Sequence, residues 1–317
     1  MRIQKQRCQR DATGVLGCLA NRRDAGVTNG NSTFVGVLTS REFLAIRGIP
    51  SALGLGSLYG RGSFAGAPSP DDVRQVYTDS TPSYNTSEEF YQARLSQDFG
   101  GGINLRLSGS YQKVGVDSGQ DYNLSVQNRS VFASGLATLQ ALATGGGALG
   151  TYLGPVAAAV IPHGPTGLLC TSLAEETGTG AYGGHKICGS TPLDFDRSNQ
   201  ENTSWSGEAI ISSDWDGMFN FLVGGIYSKR HLTEDSYYVN SFGIDYLSGV
   251  LGSFTALGSA LPPAYLGTPF YRSNTDDLRT RSYGFFGETY FQLQDNLKVT
   301  LGLRYNNDHK SASARST

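Results

Sequence analysis

The sequence predicts an all-β chain: an antiparallel transmembrane β-barrel segment of about six long strands, an incomplete barrel, with long extracellular loops containing short helices. Three observations predict it. Six segments alternate apolar and polar residues with a period of two, the mark of a strand with one face in each environment. The joins between them run short, long, short, long, short, so all tight turns fall at one rim and all long loops at the other. The composition is 16% charged, with 42 Gly, 17 Tyr and 15 Phe in 317 residues, against about 25% charged and about 7% Gly in average proteins. That balance argues against a helical protein and against charged disorder.

Residues 1–84 read as an extracellular loop. Their start, MRIQKQRCQRDATG, is basic but lacks the apolar core of a signal peptide. Within them an amphipathic stretch, Thr39 to Ile49, predicts a helical turn. Residues 85–112 form the first predicted hairpin, with strands at Thr86–Phe99 and Ile103–Gln112 joined by Gly100–Gly102. Tyr91, Leu95, Leu105, Leu107 and Tyr111 share its apolar, lipid-facing side, whereas Arg94 and Arg106 share the other.

Residues 113–202 form a long loop. Its uncharged stretch, Ser130 to Pro162, is interrupted by glycines and two prolines, so it predicts short helices and not a spanning one. The second hairpin, 203–230, turns at Asp214-Trp215-Asp216-Gly217, which contains the Asp-Gly hairpin dipeptide. Trp205, Phe219, Phe221, Val223 and Tyr227 occupy its lipid-facing side. A second long loop, 231–280, includes a helical stretch at Leu247 to Leu261. The third hairpin, 281–310, turns at Gln294-Asp295-Asn296. Tyr283, Phe285, Phe291, Val299, Leu301, Leu303 and Tyr305 are its lipid-facing residues. Strands of this length suit a tilted crossing of about 9–11 residues, and aromatics near their ends suit the girdles of such a barrel.

Four cysteines fall in two local pairs, Cys8 with Cys18 and Cys170 with Cys188, each spanning a loop-like interval. Two loop-stapling disulfides in an oxidising compartment are expected. A metal site built with His163 or His185 is disfavoured, because no C-x-x-C is present and the spacing fits no zinc template.

Enzymatic chemistry finds little footing, and the expectation is that the chain is not an enzyme. Gly178, Gly180 and Gly183 match G-x-G-x-x-G, but acidic residues precede them where a dinucleotide site needs an apolar strand. The four histidines lie in unrelated positions, and no G-x-S-x-G accompanies them. No catalytic, cofactor or metal residues are therefore assigned. The net charge of −2 supplies no field to attract nucleic acid, so none is expected as a partner.

The stretch Ser282–Ser311 (SYGFFGETYFQLQDNLKVTLGLRYNNDHKS) resembles a hairpin of TonB-dependent outer-membrane receptors. Phe286-Gly287-Glu288, Asp295-Asn296-Leu297 and Leu301-Gly302-Leu303-Arg304-Tyr305 carry the likeness, and the hairpin Tyr91 to Tyr111 is similar to another of the same barrel. The resemblance implies active uptake of a scarce solute, such as a ferric siderophore, across the bacterial outer membrane. It also implies lipid and the energy-coupling protein TonB as partners, the latter acting through a plug domain that this sequence lacks. Six strands are too few to close a barrel, so a central section of a receptor is expected. Tyr182, Tyr237, Tyr238 and Tyr271 are the ligand-capture candidates in the loops. A passive porin and a secreted, soluble β-rich adhesin are the rival readings.

Overall fold

The computed structural model describes residues 7–10, 16–19, 31, 33–65, 74–75, 77–123, 125–173, 179–265 and 271–316, the first two stretches by their backbone. The protein is mostly β, and one antiparallel sheet of six strands dominates it. The elements are β1 (Arg7–Arg10), β2 (Leu16–Leu19), α1 (Phe34–Leu38), α2 (Arg41–Ile46), β3 (Ser83–Asp98), β4 (Ile103–Asp121), α3 (Ala133–Thr144) and α4 (Gly147–Val160). There follow β5 (Leu169–Ser172), β6 (Lys186–Gly189), β7 (Asp194–Ser213), β8 (Phe219–Ser241), α5 (Phe242–Gly258), β9 (Tyr271–Gln294) and β10 (Leu297–Ser316).

The large sheet runs β10-β9-β8-β7-β4-β3, and its three predicted hairpins are β3-β4, β7-β8 and β9-β10. Among the described residues its two edges, β3 and β10, carry no ladder to one another. Each tight turn has a local cause. Gly100, Gly101 and Gly102 all take positive φ, which an L side chain resists, and the Asp98 carboxylate accepts from Gly100 N at 2.7 Å. At the β7-β8 turn, Asn220 Oδ1 accepts from Trp215 N at 2.7 Å and Asn220 Nδ2 donates to Trp215 O at 3.0 Å.

The strands outrun the sequence expectation at the long-loop end. β4 continues to Asp121, β7 begins at Asp194, β8 runs to Ser241, β9 begins at Tyr271 and β10 runs to Ser316. The ends of the predicted loops 113–202 and 231–280 are therefore ladder. The β7 and β10 extensions are mostly polar on both faces and carry no apolar alternation to read, whereas those of β4 and β8 hold only a few apolar residues, Val114, Val116, Leu232 and Val239 among them. Backbone pairing and cross-strand contacts hold the extensions instead. The Arg197 guanidinium grips Asp117 with two bonds at 3.2 and 3.1 Å, and Arg315 grips Asp276 at 3.0 and 3.1 Å.

The long connections fold into a helical cap with its own core, a second departure from the loop expectation. Leu44, Leu53, Leu136, Val156, Phe242 and Val250 are among its fully buried side chains. Ser40 and Ser241 cap α2 and α5 by accepting from Phe43 N and Gly243 N, as N-terminal serines commonly do. Tyr246 on α5 lies in the centre, and its hydroxyl donates to Leu53 O at 2.7 Å. A disulfide joins Cys170 to Cys188 across the β5-β6 hairpin.

Candidate functional site

Two features of this architecture have the makings of a site: the apolar face of the large sheet, and a cavity where the strands meet the cap.

Register aligns the apolar face into bands. Tyr91 pairs with Tyr111, and Tyr111 with Trp205. Trp205 lies 4.9 Å from Tyr227 by ring centroids, Tyr227 pairs with Tyr283, and Tyr283 lies 6.4 Å from Tyr305. One aromatic row thus crosses all six strands. A second borders the tight turns, where Phe219 lies 5.3 Å from Phe291 and Trp215 lies 5.6 Å from Phe221. Phe99, Phe219 and Phe291 each stand eight residues from the tyrosine on their own strand, roughly 26 Å at about 3.3 Å per residue.

Between the rows the apolar face carries no Asp, Glu, Lys or Arg on any of the six strands. Nor is it covered: Val223 is 55% and Leu301 62% exposed, and Leu95, Leu107, Phe285 and Leu303 are also open. Leu105 and Val299 are half-buried. Two residues past the tyrosine row, the same face becomes charged. Glu89 pairs with Lys113 there, and Lys229 with Arg281. The opposite face differs between the rows, carrying Arg94, Arg106, Glu208, Glu288 and Arg304. Arg304 lies over the Phe286 ring at 5.7 Å.

The cavity measures about 300 Å³, the lower end of the range for small-molecule sites. Its polar lining includes Tyr122, Asn123, Gln127, Asp194 and Ser241. Asp121, Asp194 and Ser241 come together because they end or begin β4, β7 and β8. Asp194 Oδ2 accepts from Asn123 Nδ2 at 2.7 Å and from Gln127 Nε2 at 2.5 Å, whereas its Oδ1 has no hydrogen-bond partner. Burial pushes the Asp194 carboxyl up to about 7; the nearby Asp121 and Asp79 charges add to the rise and the Ser241 hydroxyl opposes it. Burial, with help from Asp121, likewise pushes Asp79 up to about 6.

The predicted ligand-capture tyrosines do not converge. Tyr182 stacks on Tyr265 at 4.2 Å and its hydroxyl donates to the Asp245 carbonyl, inside the cap. Tyr237 and Tyr238 lie on the β8 extension, where the Tyr237 hydroxyl donates to Asp196 Oδ2 at 3.1 Å and Tyr238 packs edge-on against Phe195. Tyr271 begins β9, and its side chain lies outside the described residues. Cys8 and Cys18 are opposite one another in the β1-β2 ladder, but their side chains, and Gly178 of the glycine motif, lie outside the described residues. His231 bonds Asp277 Oδ1 at 2.7 Å across β8 and β9. The carboxylates around Asp194 went unforeseen, since nothing local in the sequence links positions so far apart. No family model matches this chain, and neither does any curated protein.

Proposed function

We propose that the six-stranded sheet spans the bacterial outer membrane as part of a receptor barrel that takes up a scarce solute, with the cap on the extracellular side. One observation carries the reading. The apolar face is uncharged, exposed and bounded by two aromatic rows roughly 26 Å apart along the strands. Outer-membrane barrels present an outward apolar band about 25 Å tall between aromatic girdles, with polar residues on the inner face. A water-soluble sheet leaving this face open would expose a large apolar patch, which soluble monomers avoid.

The step from barrel to receptor rests on the likeness of Ser282–Ser311 to a TonB-dependent receptor hairpin. The cap is consistent with it: loops packed around their own core suit capture of a solute such as a ferric siderophore better than an open pore. The edges of β3 and β10 would pair with further strands, since lipid tolerates no unsatisfied backbone.

The chain's two tryptophans make the test direct, because Trp205 lies in one aromatic row and Trp215 in the other. With the chain refolded into vesicles at a density that lets copies pair along the open β3 and β10 edges, lipids brominated near the headgroup should quench both more strongly than lipids brominated at the chain ends. Trp205→Phe and Trp215→Phe separate the two signals. Absence of quenching would leave the soluble adhesin as the better reading, and steady ion conductance in a planar bilayer would favour a passive porin.

A further inference from the structure

We propose that the cavity between the strand ends and the cap is a binding site for a small organic ammonium ion with a compact apolar body. The inference is independent of whether the sheet meets lipid.

The shape and lining set the class. Phe34, Leu55, Phe64, Phe132 and Val239 wall the cavity, and these accept an alkyl or aryl group, not a strongly hydrated ion. Among the described residues that line it Asp194 is the one charged group, with Asn123 and Gln127 bonded to it; Asn31, Thr33, Thr39 and Ser63 add neutral polar groups elsewhere in the lining. Asp194 is over nine-tenths buried and lines the cavity, yet its Oδ1 has no partner. A buried acceptor left without a donor costs about 1–3 kcal/mol, which a donor in the cavity would recover.

Charge narrows the class further. Among the described residues no Lys, Arg or His lines the cavity. The titratable groups facing Asp194 are the carboxyls of Asp121 and Asp79, and Tyr122 stands beside it on the cavity wall. This environment repels anions and holds the Asp194 proton to an unusually high pH. An ammonium group reverses both penalties, supplying the missing donor and the missing positive charge. Among the described residues no three His, Cys, Asp or Glu side chains are grouped to hold a metal ion, whereas an ammonium needs one carboxylate and neighbouring neutral acceptors. Binding to protonated Asp194 balances simply: the carboxyl proton leaves to solvent and the ligand keeps its own charge.

Calorimetric titration of the full chain with 2-phenylethylammonium chloride tests this. The expected result is one-to-one binding at about pH 8, weakening up to about tenfold per pH unit below 7. At about pH 5 the binding heat should depend on the buffer's ionisation enthalpy, reporting about one proton released. Asp194→Asn keeps an oxygen to accept from Asn123 and Gln127, so it should fold with the same β signal but bind at least tenfold more weakly. Val131→Phe narrows the cavity and retains the carboxylate; it should weaken binding while preserving the pH dependence. Any of three results overturns the proposal: no binding by the folded wild type at millimolar ligand, equal binding of neutral 2-phenylethanol, or calcium chloride displacing the amine.

Discussion

Trp205 of β7 and Tyr227 of β8 lie with ring centroids 4.9 Å apart on the apolar face of the sheet. Their contact completes an aromatic row from Tyr91 on one edge strand to Tyr305 on the other. The row marks a change of environment: on its turn side the face is uncharged, and two residues beyond it Lys113, Lys229 and Arg281 appear. No single strand carries this boundary. Ladder register places six independently encoded aromatics at one height.

A charge placed between the rows should read the environment of that face. Val223 stands four residues from both Phe219 and Tyr227 and is 55% exposed. In lipid, Val223→Arg should cost about 2–4 kcal/mol, the figure for an arginine at the midplane of a barrel's outer face. Leu222→Arg, directed to the opposite face, should cost less. Urea unfolding in vesicles, followed by tryptophan fluorescence, compares the two. Equal costs, or a Val223→Arg variant more stable in buffer, would mean that water bathes the face.

The β3-β4 turn should separate two kinds of glycine requirement. Gly101 and Gly102 both have positive φ, which costs an alanine about 1–2 kcal/mol. A Cβ on Gly101 would meet open space, but one on Gly102 would collide with the Asp214 carbonyl oxygen and the Trp215 ring. That turn is already tied to its neighbour, since Asp214 N donates to Gly102 O at 2.7 Å and Trp215 Nε1 donates to Gly101 O at 2.8 Å. Gly102→Ala should therefore destabilise clearly more than Gly101→Ala, and should blue- or red-shift Trp215 emission where Gly101→Ala does not. Matching unfolding midpoints would remove the steric argument.

How far the sequence could be read follows the same physics. The three hairpins were legible because one face of each is apolar, so burial or lipid contact imposes a period of two. The strand extensions were not: Asp194-Phe195-Asp196-Arg197-Ser198-Asn199 on β7 has no apolar face, and its partners, such as Asp117 for Arg197, come from another strand. Helix α5 was seen only in part, at Leu247–Leu261. Most of its side chains are buried all round, which erases the amphipathic period, and its glycines are poor helix formers. Packing overrides that propensity, since Gly249 lets Tyr182 and Val156 lie directly against the helix. The carboxylates Asp79, Asp121 and Asp194 were invisible for a simpler reason: only the folded strand ends bring them together.

Removing the Cys170–Cys188 bridge should loosen the cap and spare the sheet. The disulfide closes an 18-residue interval, which in the loop-entropy account contributes about 3 kcal/mol. Ser172, on the same short strand as Cys170, anchors α5: its N and hydroxyl donate to the Asp245 carboxylate at 2.6 and 2.8 Å, and its carbonyl accepts from Asn240 Nδ2 at 2.7 Å. A Cys170→Ala/Cys188→Ala protein should keep its β signal but exchange amide hydrogens faster in α4 and α5. Faster exchange across β7–β10 as well would show that cap and sheet unfold as one unit.

The buried carboxylates should make the cap more stable in mild acid than in mild base. Asp194 has an ordinary carboxyl value near 3.8 that rises to about 7 in the folded protein, so from about 4 to 7 the folded state holds a proton that the unfolded state has lost. Stability must then fall as pH rises through that window. Asp79, raised to about 6, adds in the same direction over a narrower range, and its partial exposure lessens its share. For Asp194 the full effect is on the order of 4 kcal/mol, taking about 1.4 kcal/mol per unit. Asp194→Asn removes the ionisation but keeps an acceptor for Asn123 and Gln127, so it should flatten the slope and leave the variant more stable than wild type above pH 7. Denaturant unfolding of the cap, followed by amide exchange in α3 and α5 at about pH 5 and about pH 8, measures both. A wild-type cap that is equally stable at the two pH values would mean that the Asp194 carboxylate is already matched by a positive charge when folded.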